Sequence, residues 1–144
     1  MAKQLNIFVE NSPGRLKAVS DTLSKNNINI RAFAMQDRGD FGLLRLIVDR
    51  PQDAYLCLAE VGCACALKEI LAISIEDRIG NFSTLTSALA ENGINIVDAY
   101  GFVIQPEQTG VCCLQVDDSQ QVQAKAVVEQ AGFTILNDNE FYSI

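Results

Sequence analysis

The sequence predicts an α+β fold made of two successive βαββαβ units, each an antiparallel sheet with its helices on one face. Three observations carry that reading. The chain repeats itself: a shift of 66 residues, Ile7 onto Ile73, aligns residues 7–30 with 73–96 and matches Ile7, Glu10, Gly14, Leu23, Asn26, Ile28, Asn29 and Ile30 with identical residues. Ordinary composition would give about one or two such identities. Within each copy the apolar spacing alternates between period two and a helical period. From Cys63 to Ile75 there is no Gly or Pro, so no flexible linker divides the copies. The units are expected to span residues 1–68 and 69–144.

Each element has a local reason. Leu5, Ile7 and Val9, like Leu71, Ile73 and Ile75, recur every second residue, as a strand with one buried face requires. Ser12-Pro13-Gly14 opens a helix whose Leu16, Val19 and Leu23 share a face, as do Phe82, Leu85 and Leu89 in the second copy. Asn26-Asn27 and Asn92-Gly93 end these helices, because Asn and Gly accept the left-handed conformation. Strands are expected over 28–35 and 94–104, then turns at Asp37-Arg38-Gly39-Asp40 and Pro106 to Gly110. Leu44, Leu46 and Val48, or Cys112, Leu114 and Val116, then alternate in a third strand. The register slips by two residues in this turn, which brings Gly42 over Gly110 and Asp49 over Asp117. A second helix carries Ala54, Leu58 and Val61, or Ala124, Val127, Val128 and Ala131. Gly62 and Gly132 stop it, and a last strand begins at Cys63 or Phe133. Right-handed crossovers close this order as a ferredoxin-like split βαβ arrangement.

Composition excludes several functions. Eleven Lys and Arg against 18 Asp and Glu give a formal charge of −7, and aromatics make up 7% of the chain. That balance repels phosphate backbones and offers few stacking platforms, so nucleic acid is not expected; no metal or other cofactor is expected either, because no His or clustered Cys is present to hold one. The chain has no histidine, which removes the usual general base and the commonest metal ligand. No nucleophile with a neighbouring base can be named, so the expectation is a protein that binds rather than catalyses. Cys63 and Cys65 lack partners for a metal site and read as small apolar residues. No stretch approaches the roughly 20 apolar residues of a membrane span, and Met1 to Phe8 lacks the unbroken apolar run of a signal peptide. A cytoplasmic protein with reduced thiols is expected.

If Ile28 and Ile30 face the helices, then Asn29, Arg31, Phe33 and Met35 point away, beside Phe8, Leu43 and Ile47. So apolar a face should be covered, and a second copy of the protein is the expected cover. Asp98 falls where the phase of Ile94 and Ile96 demands an inward residue; either a bulge re-aims it or it serves an interface. Tyr100 and Phe102 are expected in the core.

The segments Glu10-Asn11-Ser12-Pro13-Gly14-Arg15-Leu16 and Asn26-Asn27-Ile28-Asn29-Ile30 resemble the ACT domain family, βαββαβ modules that bind amino acids and regulate metabolic enzymes. The resemblance covers the chain as two ACT units. It implies a ligand at a domain or subunit interface, held by the loop after strand one and by the polar residue of Ile-Asn-Ile. Asn11, Gly14 and Asn29 would do this in the first unit, and Asp77, Gly80 and Asn95 in the second, where Ile79 replaces Pro13. It also implies the alternative of a regulatory subunit docked on a biosynthetic enzyme, similar to the small subunit of acetohydroxyacid synthase. The chemistry agrees. Glycine before a helix lets backbone approach a ligand, and the first helical N–H groups suit a carboxylate. Asn29 or Asn95 can donate and accept toward a zwitterion, and Asp77 could meet an ammonium. Ser12 and Arg15, with Arg78 and Asn81, complete the two loops expected to supply backbone donors.

Overall fold

The computed structural model describes residues 1–144, which divide into two compact units. The N-terminal unit comprises Lys3–Lys68 with Tyr142–Ile144, and the C-terminal unit comprises Met1–Ala2 with Glu69–Phe141. In the first unit β1 (Ala2–Glu10), α1 (Arg15–Lys25), β2 (Ile30–Asp37), β3 (Phe41–Val48) and α2 (Pro51–Glu60) precede β4 (Ala64–Glu76). In the second, the remainder of β4 leads to α3 (Asn81–Glu91), β5 (Ile96–Gln105) and β6 (Thr109–Val116). A turn of 3-10 helix (Asp118–Gln120), α4 (Gln121–Gln130), the two-residue β7 (Thr134–Ile135) and α5 (Asp138–Tyr142) follow. One continuous strand, β4, therefore stands where the sequence suggests two successive strands.

Both sheets are antiparallel, with β3 between β1 and β2, and with β4 between β6 and β7 while β5 lies outside β6. Leu5, Ile7 and Val9 pack in one core with Leu44, Leu46 and Val48, with Val19 and Leu23 of α1, and with Ala54, Cys57 and Leu58 of α2. Both helices thus cover the same sheet face. Leu71, Ile73, Leu85, Leu89, Cys112, Leu114, Val116, Ala124 and Val128 repeat the arrangement in the second unit. Each fully buried Leu or Ile adds roughly 1.5–3 kcal/mol. Leu16 and Phe82, although in phase with these helical stripes, sit in the first turns and remain exposed. Val61 and Ala131, at the far ends of α2 and α4, are exposed too.

The expected face assignment of the second strand does not hold beyond its first residues. A register shift between Ile30 and Ala32 brings Phe33 opposite Leu46 and Met35 opposite Leu44. Since Leu44 and Leu46 are core residues on the helix side, Phe33 and Met35 lie on that side as well, at the sheet edge. Phe33 is 71% exposed there. A bulge adds one residue and exchanges the two faces, which a pure period-two reading cannot register. Phe8 and Leu43 do share the opposite face, where Phe8 also meets Phe41 at 5.8 Å between ring centroids, while Ile47 is fully buried. The same shift occurs between Ile96 and Asp98. It pairs Asp98 with Gln115 away from the helices, so a bulge does re-aim Asp98. Tyr100 and Phe102 pair with Cys113 and Val111 on that face, half-buried rather than in the core beneath the helices.

Candidate functional site

The two loops after strand one are built alike. Gly14 (φ 85°) and Gly80 (φ 91°) cap α1 and α3 in the left-handed region that favours glycine, and neither helix has a side-chain cap. The first intrahelical bonds run from Ala18 N–H to the Gly14 carbonyl and from Thr84 N–H to the Gly80 carbonyl. The first N–H of each helix bonds back into its loop, Arg15 to the Ser12 carbonyl (3.4 Å) and Asn81 to the Arg78 carbonyl (3.3 Å), while the next ones have no intrahelical carbonyl to meet. Asn11 and Asp77 tie their loops to the adjacent hairpins. Asn11 donates to the Gly39 carbonyl (2.9 Å) and to Asp37 Oδ1 (3.3 Å), while Asp77 Oδ2 accepts from Glu107 N–H (2.7 Å). Ser12 N–H bonds the Glu10 carbonyl at 2.9 Å. Arg15 pairs with Glu10 at 2.7 Å and Arg78 with Glu76, and the Asn81 side chain donates to the Glu76 carbonyl (2.9 Å). One oxygen of Asp77 is thus already engaged.

Asn29 and Asn95 lie elsewhere. Asn29 N–H donates to Asp49 Oδ1 (3.0 Å) and its carbonyl accepts from Asp49 N–H (3.1 Å). Asn95 N–H donates to Gln120 Oε1 (3.0 Å), and Gln120 Nε2 donates to the Gly93 carbonyl (2.9 Å). Each asparagine follows the C-terminal end of an 11-residue helix whose N-terminal end carries the glycine loop. At 1.5 Å per residue that separates them by about 16 Å. Within a unit, the structure does not bring the asparagine to its own loop. A cleft of about 440 Å³ beside Asn29 is lined by Ser20, Ser24 and Asn27, and another of about 400 Å³ holds Glu10 and Arg15 with Phe8, Phe41 and Cys63.

The cleft beside the second loop has the clearest chemical character. About 340 Å³ in volume, it runs from Glu76, Asp77 and Arg78 across the helix side of β4, β6 and β5, under Phe82 of α3. Its floor is made of small residues: Ala99 and Gly101 on β5, Gly110 on β6. Ile75, Val103 and Cys112 supply apolar walls. A volume at the lower end of the roughly 300–1,000 Å³ usual for small-molecule sites suits a metabolite.

A family model for the ACT domain pair matches residues 1–143. The chain belongs to that family. Among solved structures, protein BT0572 from Bacteroides thetaiotaomicron superposes with a TM-score of 0.91 at 29% identity, over 99% of this chain and 96% of that one. The ligand-free regulatory subunit of aspartate kinase from Thermus thermophilus is similar at a TM-score of 0.62 and 19% identity, over 90% and 92% of the two chains. Aspartate kinase from Synechocystis gives 0.57 and 18%, with 94% of this chain matching 26% of that one. At such identities the two kinases share the fold. No curated protein is significantly similar to this chain.

In this ACT pair the cleft wall contains a thiol, and burial pushes the pKa of Cys112 up to about 11. It stays protonated at neutral pH and acts as an apolar surface. The five cysteines are all free, and no three His, Cys, Asp or Glu side chains gather as metal ligands. No helix is long and apolar enough to cross a membrane. Of the residues lining this cleft, sequence reasoning singled out Asp77 and Arg78 for the site but missed Phe82, Ala99, Gly101 and Gly110, while Gly80, Asn81 and Asn95, which it also singled out, are not among the lining residues. A signal was present: under the 66-residue shift, Ala99 and Gly101 fall on Phe33 and Met35, small residues replacing large ones on a strand otherwise alike.

Proposed function

We propose that this ACT domain pair is a non-enzymatic regulatory protein that binds an amino acid at the loop and cleft of its C-terminal unit. One observation carries the reading. The cleft joins an apolar wall to the opening turn of α3 at Phe82, where N–H groups beyond Asn81 have no intrahelical carbonyl and suit a carboxylate; apolar wall and anion site are the two chemistries of an amino acid. Arg78, which also pairs with Glu76, would meet the α-carboxylate, and Asp77 would meet the α-ammonium through its second oxygen. The loop Asn11, Ser12, Gly14 and Arg15 shares the glycine-capped helix start but lies beside Phe33 and Met35 where the second unit has Ala99 and Gly101, and it is not part of the proposed site. Asn29 and Asn95, distant from their own loops, would contribute only where a second copy brings its loop to them.

A homodimer is part of this reading. Phe8 and Phe41 on one sheet face, Phe33 on the edge strand β2, and Val97, Val103 and Ile104 on the edge strand β5 are exposed, and apolar strand edges invite pairing. A metabolic enzyme docked on the same surfaces is the alternative. Sedimentation at micromolar concentration distinguishes them, since a 15.7 kDa monomer would leave the surfaces for a different partner. The ligand itself is tested by a thermal-shift screen of the twenty amino acids. A true ligand at 100 times its dissociation constant adds about 2.7 kcal/mol, which raises the melting point by several degrees. A flat response across all twenty refutes amino-acid binding.

A further inference from the structure

We infer that the C-terminal unit offers a single slot for an apolar side chain of the methionine or leucine kind, and that the N-terminal unit has filled the equivalent slot with its own Met35. The inference rests on the amino-acid reading above and names the ligand class and stoichiometry of that site.

The two units can be compared position by position through their registers. Val9 pairs with Gly42 as Ile75 pairs with Gly110. Phe33 faces Leu46 as Ala99 faces Leu114, and Met35 faces Leu44 as Gly101 faces Cys112. The bulges after Ile30 and Ile96 place all of these residues on the helix side. In the N-terminal unit Met35 reaches across β3, so that its Cε lies 2.9 Å from where a Cβ on Gly42 would stand. At Gly110 the nearest atoms to such a Cβ are the Phe102 carbonyl oxygen at 3.2 Å and Ile75 Cγ2 at 3.7 Å. No side chain from β5 is among these nearest atoms. With Gly101 in place of Met35, the volume that the Met35 side chain claims over the third strand in one unit is open in the other.

Met35 is therefore an internal template for the missing occupant. Its flexible thioether chain lies over a glycine floor between a β-branched residue of the first strand and the side chain of the third. The open slot repeats that setting with Ile75, Gly110 and Cys112, and adds the Phe82 ring, which suits sulfur or methyl contacts. A Lys or Glu side chain would lose its hydration against Ile75 and Cys112 with no partner in the floor. Glycine or serine would leave the floor without contacts. Because Met35 already occupies the N-terminal slot, one ligand binds per chain.

Titration calorimetry with L-methionine and L-leucine, against glycine, L-serine, L-lysine and L-glutamate, tests this. Methionine or leucine should bind at one per chain and at least tenfold more tightly than the other four. Gly101→Met should weaken methionine binding at least tenfold by copying the N-terminal plug. A Cβ at Gly101 would meet the Val111 carbonyl oxygen at 3.1 Å, so Ala99→Phe, which adds bulk to the cleft floor without replacing a glycine, is the companion variant and should do the same. Phe33→Ala combined with Met35→Gly should raise the stoichiometry toward two. Serine or lysine binding as tightly as methionine would overturn the slot while leaving amino-acid binding intact. So would a folded Ala99→Phe variant that binds like the parent, or two ligands bound per parent chain. An unchanged stoichiometry in the double variant would overturn the role given to Met35. If none of the twenty amino acids binds, the functional reading itself fails, and the slot with it.

Discussion

Replacing Gly80 by alanine should destabilise the protein by about 1 kcal/mol, and the structure says why the figure is not larger. Gly80 holds φ 91° and ψ −15°, and a Cβ added there meets no atom within 4 Å. Nothing outside the residue resists the methyl group, so the cost is the intrinsic one of a left-handed L-residue, roughly 1–2 kcal/mol. Against it stands the reduced freedom of the unfolded chain, which favours alanine by about 0.4–1 kcal/mol. The difference is about 1 kcal/mol. With a urea slope of roughly 1–3 kcal/mol/M the midpoint should fall by about 0.3–1 M, read by circular dichroism without ligand. Gly80→Asn should cost less, because asparagine tolerates this region. Gly14, at φ 85° with equally open surroundings, should behave the same way. The reasoning is refuted if alanine at Gly80 leaves the midpoint unmoved, or if asparagine lowers it more than alanine does.

Two further predictions concern groups away from the cleft. The Arg50 guanidinium donates to the carbonyls of Asn26 (2.9 Å) and Asn27 (2.8 Å) after α1 and pairs with Asp53; Arg50→Ala should cost about 1.5 kcal/mol in urea unfolding, the lower end of the charged hydrogen-bond range because the group is half exposed. Burial pushes Cys113 up to about 12 and Cys112 to about 11 from the ordinary 9.0. Below pH 9 both thiols are protonated in either state and contribute no slope. Above it the unfolded chain loses protons that the folded one keeps, so stability should fall with rising pH between about 9 and 11, by up to ~1.4 kcal/mol per pH unit for Cys113. Urea midpoints measured across that range should decline more steeply than those of Cys113→Ala; equal slopes would remove the thiol as the cause.

The sequence by itself determined the repeat, the order of elements within each unit, the glycines that turn the chain at Gly14 and Gly80, and the family. These are local or self-referential signals: an apolar period, a residue that accepts positive φ, a match of one half to the other. Asn27 and Gly93, expected to end helices, do adopt positive φ at those ends. Register and assembly in space depend on partners that a linear pattern does not contain. The bulges after Ile30 and Ile96 carry no period of their own, yet each exchanges the faces of the residues that follow it, in β5 as far as a second register shift after Val103. That exchange moved Phe33 and Met35 to the helix side and made Ala99 and Gly101 the floor of a cleft. Likewise, Gly14 and Asn29 are 15 positions apart in the chain, but the helix between them is a rigid rod that sets them at opposite ends of the unit. Tertiary structure decided the site because a side chain's surroundings are fixed by the strand it pairs with and the direction its helix returns, and neither is written in its neighbours.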